Sequence, residues 1–176
     1  KLQLTRSCLE VLAEFGVPAS VTTRSPLVLR DLDLLRAMPG SSVNVSVHTL
    51  DPAIWRAFEP STPAPRLRLD TVRKLGEAGV QAGVFLAPIL PHITDGFEAV
   101  EAVLTGCAEA HAAYVMPSIL RLSTPEVKSW FFSVLRQSYP DLTATYGELY
   151  WQSGSAPERY KRPLHERIRG QLARHG

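Results

Sequence analysis

Apolar residues recur along this chain with two different periods. Leu4, Cys8, Leu12 and Phe15 fall three or four apart, the spacing of one helix face, and Gly16 stops the run. The segment 17–23 ends in the β-branched residues Val21, Thr22 and Thr23 and predicts a strand. Ser25 and Pro26 then read as a cap and a first helical position, with Val28, Leu32 and Leu35 on one face through about Met38. The alternation continues. Residues 42–49 predict a second strand, Asp51 and Pro52 open a short helix, and 59–65 predict a loop. Leu69, Val72 and Leu75 carry the next helix to Ala78, where Gly79 ends it. Residues 80–90 predict a third strand, apolar throughout from 82 on, as expected of a strand buried on both faces. Pro88 and Pro91 are expected where its pairing ends. Asp95 is predicted to cap a helix with Phe97, Val100, Leu104 and Cys107 inward. Residues 112–120 predict a fourth strand, and from Thr124 onward the pattern is helical, with breaks near Pro140 and across 153–157.

Strands that alternate with helices imply right-handed crossovers and a parallel sheet. In parallel α/β sheets and barrels, ligands bind at the carboxyl ends of the strands. Polar residues gather at the first two such ends, 22–25 and 46–49, and tight apolar turns at the last two, 87–90 and 116–118. This suits a ligand with one charged end and one flat apolar face. Four strands do not close a barrel, so the sheet is expected to be open or incomplete.

Composition narrows the picture only a little. The chain has 176 residues, 45% hydrophobic and 20% charged, which fits one domain with a real core. A net charge of +2 is too small to imply a polyanion partner. No apolar run approaches the length of a membrane helix and no leader opens the chain, so a cytoplasmic location is the expectation. Cys8 and Cys107 lie far apart inside helical patterns and are expected to be buried free thiols. The chain starts without methionine, already inside a helical pattern, which suggests a piece of something longer.

Two HxxD pairs, His48/Asp51 and His92/Asp95, follow strands on the face where a metal could sit. Against a metal site, both aspartates precede helices and read as caps, which removes half the ligands. There is no GxSxG elbow, P-loop or GxGxxG. Arg24 stands just past a strand, either gripping a carboxylate or paired on the surface with the next helix. From 155 to 176, six Lys and Arg face two Glu, and Leu164, Ile168 and Leu172 form an apolar stripe on a helix expected after Pro163. Its basic face is either a solvated surface or a contact for nucleic-acid phosphates.

The stretches VTTRSPLVLRDLDLL, VSVHTLDPAIWRAFEPSTPAPRLRL, RKLGEAGVQAGVFLAPILPHITD and LRLSTPEVKSWF resemble the radical S-adenosylmethionine proteins. The closest branch is the one related to spore photoproduct lyase, often labelled DNA repair photolyase, and the C-terminal stretch from 146 to 172 resembles the extension of one bacterial subgroup. The resemblance implies an α/β fold, a partial parallel (β/α) barrel of which this chain holds strands three to six of six. Residues 1–123 would form the barrel part and 124–176 a helical extension. It implies S-adenosylmethionine as cofactor, beside a [4Fe–4S] cluster that reduces it to release a hydrogen-abstracting radical. The CxxxCxxC loop that holds such a cluster is absent here. The resemblance therefore puts the cluster ligands upstream, on a missing N-terminal part, and leaves this chain alone inactive. By the same resemblance Arg24, where the family usually has lysine, would hold the methionine carboxylate. Ser46 would meet the ribose hydroxyls, and Ala87 and Pro88 would lie against adenine. Two alternatives from other classes remain: a non-catalytic binding module on the same half-barrel, and a metal-dependent hydrolase using His48 and His92.

Overall fold

The computed structural model describes residues 3–175. Its elements run α1 (Leu4–Glu14), β1 (Ser20–Thr23), a 3₁₀ segment (Pro26–Asp31), α2 (Leu32–Ala37), β2 (Ser42–Ser46), α3 (Pro52–Phe58), α4 (Pro65–Glu77), β3 (Gln81–Ile89), α5 (Phe97–Glu109), β4 (Val115–Ile119), α6 (Pro125–Ser138), a second 3₁₀ turn (Pro140–Leu142), α7 (Thr143–Leu149) and α8 (Glu158–Leu172). The four strands pair in sequence order, all parallel, in register Ser20↔Ser42, Ser42↔Gln81 and Val84↔Val115. Sequential order with right-handed crossovers returns every connection on the same side of the sheet.

Burial follows from that winding. Val43, Val45 and Val47 of the second strand and Ala82, Val84 and Leu86 of the third pack against Leu9, Val72, Leu75, Val100, Leu104, Leu164 and Ile168. Alternate residues face the other way, and there Ser20, Thr22, Met116 and Ser118 are exposed. The third strand is therefore not covered equally on both faces. Its continuous apolar run fills the core with alternate residues and leaves Phe85, Ala87 and Pro88 half-buried on the open side. Gly83 lies under the Tyr114 ring, where a Cβ would collide. Tyr114 donates to Asn44 Oδ1 at 2.6 Å, and Asn44 donates to Ser20 Oγ at 3.1 Å.

Several details depart from the expected pattern. Pairing does not stop at Pro88. Leu86 is opposite Pro117 and Ile89 opposite Ile119, so the third strand carries one extra residue, a bulge that the missing proline N–H accommodates. The expected helix from Pro26 opens as 3₁₀ and becomes α-helical after Asp31, whose buried carboxylate takes Arg30 and Arg6. Asp51 caps α3 through Ala53 N at 2.7 Å, as expected, but Asp95 does not cap α5. Gly96 holds that position, and the Asp95 carboxylate accepts from the Tyr160 hydroxyl. Cys8 is exposed, not buried, whereas burial pushes the Cys107 thiol up to about 12. The final helix starts at Glu158, ahead of Pro163, and docks on the sheet layer through Leu164 and Ile168.

A second apolar cluster closes over the carboxyl ends of the strands. It joins Phe58, Leu90, Leu120, Leu122, Phe131, Leu135, Tyr146 and Tyr150. Two buried tyrosines of this cluster tie it to the sheet. Tyr146 donates to Pro91 O at 2.6 Å and Tyr150 to Leu120 O at 3.0 Å.

Candidate functional site

Between this second cluster and the open face of the sheet lies a cleft of about 680 Å³, within the range of small-molecule and cofactor sites. Every strand end contributes to it: Arg24 after β1, His48 after β2, Ala87 and Pro88 on β3, and Ser118 on β4. These positions share the open face by the two-residue period of a strand. The far wall is Phe58, Val127, Trp130 and Phe131, and the rim is formed by Glu59 to Thr62 with Arg121 opposite. The Ala87–Pro88 peptide is cis.

Of the four cofactor residues expected from the sequence, three meet in this cleft: Arg24, Ala87 and Pro88. Ser46 does not line it. It sits one strand step below His48 on the same face, buried, with its carbonyl accepting from Arg68 Nη1 at 2.9 Å. His48 is in the cleft, but His92 is exposed beside Tyr160, with ring centroids 5.3 Å apart. Among the described residues no group of three or more His, Cys, Asp or Glu side chains could hold a metal ion. The hydrolase alternative thus lacks the site it needs, because the two histidines do not share a pocket.

The charged heart of the site is a residue that sequence reasoning left in a loop. Glu59, at the end of α3, takes Arg24 Nε on Oε1 at 2.9 Å and Arg68 Nη2 on Oε2 at 2.6 Å. His48 Nδ1 lies 3.5 Å from the same Oε2. Burial would raise this carboxyl, but His48 and Arg68 outweigh it and hold Glu59 down to about 2. Arg24 is therefore paired, though with Glu59 across the cleft and not with the helix that follows it.

Arg68 is wholly buried on α4 and uses its guanidinium fully. Besides Glu59 and Ser46 O, it donates to Pro63 O at 2.7 Å and Thr62 Oγ1 at 2.5 Å. Thr62 donates in turn to Glu59 O at 2.7 Å and accepts from Trp55 Nε1 at 3.2 Å. A buried cation needs this degree of compensation. A sequence signal for it existed. Arg68 stands on the stripe of Leu69, Val72 and Leu75, four residues before Val72, while Leu67 beside it is 45% exposed.

No family model matches the chain. An uncharacterized protein of Mycobacterium tuberculosis is 34% identical over 167 residues, 93% of this chain and 49% of that protein. The chain spans about half the length of the curated relatives it matches first. Among solved structures, the one-sided parallel sheet and its rim cleft place the chain in the fold class of the radical S-adenosylmethionine enzymes. The match is to spore photoproduct lyase, solved as a mutant with bound AdoMet and dinucleoside spore photoproduct. Its TM-score is 0.71 at 20% identity, covering 98% of this chain and 54% of that one. A domain of pyruvate-formate lyase-activating enzyme from Bacteroides vulgatus follows at TM-score 0.55 and 13% identity, covering 77% of this chain and 86% of that domain.

The residues of the cleft fit S-adenosylmethionine. A guanidinium with unused nitrogens stands at one end, a buried imidazole without hydrogen bonds beside it, and Ala87, Pro88 and Leu90 form an apolar floor. The chain does not fit an iron–sulfur cluster. Such clusters take several thiolates, and this sequence has two cysteines, one exposed on α1 and one buried in α5.

Proposed function

We propose that this chain is the C-terminal, cofactor-binding part of a radical S-adenosylmethionine enzyme, with the iron–sulfur cluster held by another part of the same polypeptide. The carrying observation is the meeting of Arg24, Ala87 and Pro88 in one cleft at the strand ends, on a fold shared with spore photoproduct lyase. Arg24 would grip the carboxylate of the methionine moiety, and Ala87 with Pro88 would lie flat against the purine. Beside a reduced cluster, the bound cofactor supplies a carbon radical that abstracts hydrogen from substrate. The apolar walls, Phe131 and Trp130 above and Leu90 and Leu120 below, would exclude water from that chemistry. Ser46 is kept as a ribose contact in this reading, although its position under His48 makes it the less direct of the two polar residues. On the substrate side the reading is a nucleic acid met through the last helix. Arg159 and Arg169 there have no acidic partner among the described residues, whereas Lys161, Arg162 and Arg174 are held by Glu158, Glu166 and Glu101.

Calorimetry of S-adenosylmethionine binding to the complete, cluster-loaded protein tests the cofactor assignment. Arg24→Ala should weaken binding about 10- to 150-fold, the worth of a charged hydrogen-bonded pair. Ser46→Ala should cost about 2- to 12-fold. An Arg24→Ala protein that binds like the unmutated one would sink the reading.

A further inference from the structure

Glu59 holds two cleft groups with one carboxylate, and each is left with an unused edge. Arg24 reaches Oε1 through Nε at 2.9 Å, and its terminal nitrogens have no protein acceptor among the described residues. Almost fully buried, His48 turns Nδ1 toward Oε2 at 3.5 Å and has no partner on Nε2. The carboxylate itself cannot drift. Arg68 fixes Oε2 at 2.6 Å and is anchored in turn on Ser46 O and Pro63 O. A ring lone pair aimed at a carboxylate oxygen is repulsive, so the imidazole proton belongs on Nδ1, facing Glu59. That leaves Nε2 as an acceptor in the cleft. A buried polar atom without a partner is costly, and a ligand that donates to it removes the cost.

We propose that Glu59 is the positioning residue of this cleft: it aims the terminal edge of Arg24 at an anionic group of the ligand and fixes His48 so that Nε2 accepts from an O–H or N–H of the same molecule. The chemistry so recognised is a carboxylate and a hydroxyl or amino donor on one molecule, with an apolar face for Ala87 and Pro88. The Arg24 half rests on the S-adenosylmethionine reading given above, and the His48 half does not.

The two halves are separable by experiment. The first arm uses the complete protein labelled with ¹⁵N-histidine, with the His48 signal assigned by its loss in His48→Gln. At pH 8 the ring nitrogens should report the Nδ1–H tautomer with a bare Nε2, and Glu59→Gln should shift the ring toward the Nε2–H form. An Nε2–H ring or an imidazolium in the unmutated protein would overturn the His48 assignment. This arm needs no stable variant at position 59, whose loss also strips Arg68 of its counter-charge. The second arm is a double-mutant cycle read by S-adenosylmethionine calorimetry. Glu59→Gln should weaken binding about 3- to 10-fold, and the fold-loss should be markedly smaller in the Arg24→Ala background. An equal loss in both backgrounds would mean a general structural role and would overturn the positioning of Arg24. Should Arg24→Ala itself prove silent, the cofactor reading fails while the tautomer result still decides the role of Glu59 toward His48.

Discussion

Glu59 is an acid surrounded by cations, and its titration should be visible in stability. Its folded value of about 2 lies below the ordinary 4.5. A depressed carboxyl stabilises the fold above its unfolded value and loses that contribution as pH falls through the folded one. Solvent at the cleft mouth screens part of it, so the contribution is about 2 kcal/mol at neutral pH. Urea melts of unmutated protein and Glu59→Gln should differ by roughly this amount at pH 7, and the gap should close between about pH 5 and pH 2. A gap that stays constant over that window would contradict the assignment. Glu59 and Arg68 were not legible in the sequence, because EPSTPAP carries every mark of a surface loop. Only contacts between residues distant along the chain turn it into a charged rim. Arg24, Ala87 and Pro88 were legible through the family resemblance. Ser46 illustrates its limit, since a matching position on a strand does not say which side chain reaches the cleft.

Periodicity worked best on whole elements. The helices on 69–78 and 97–107 and the strands on 42–46 and 81–89 all lie within their expected spans, because each buries one face against the sheet. It worked less well where a polar residue turned inward, as Asp31 does in breaking the first crossover helix. Glycines separate two kinds of constraint at this scale. Gly154 packs against the Leu122 carbonyl, and Leu122 N donates to Gly154 O at 2.7 Å, closing the chain beside Arg121. A Cβ at 154 would strike backbone that cannot swing away. Gly170 on α8 has nothing within 4 Å of such a Cβ. Gly154→Ala should therefore lower stability by about 1–3 kcal/mol, as overpacking does. Gly170→Ala should raise it by up to about 1 kcal/mol through helix propensity. Thermal or urea melts of the two variants check the opposite signs, and a shared sign would refute the account.

At the scale of the molecule, a parallel sheet covered on one face leaves β1 as a free edge, with Leu4, Val11, Phe15 and Leu27 exposed around it. An unpaired edge next to exposed apolar residues favours association. The 176-residue chain expressed alone should run as oligomers or aggregates in size exclusion with light scattering. A monodisperse monomer with a cooperative melt would count against the idea that this side normally meets further protein.

The anchoring of Arg68 bears on how anything enters the cleft. A rim segment tied to one guanidinium through Glu59, Thr62 and Pro63, with the end of β2 held by the same group, cannot work as a door. The facing wall is α6, where Val127 and Trp130 are about half exposed. Its ties are the Thr124 cap and the Lys128 contact to Tyr150 O at 2.6 Å. Ligand traffic is thereby routed past Trp130, and residence time becomes a matter of indole rotation and not of loop opening.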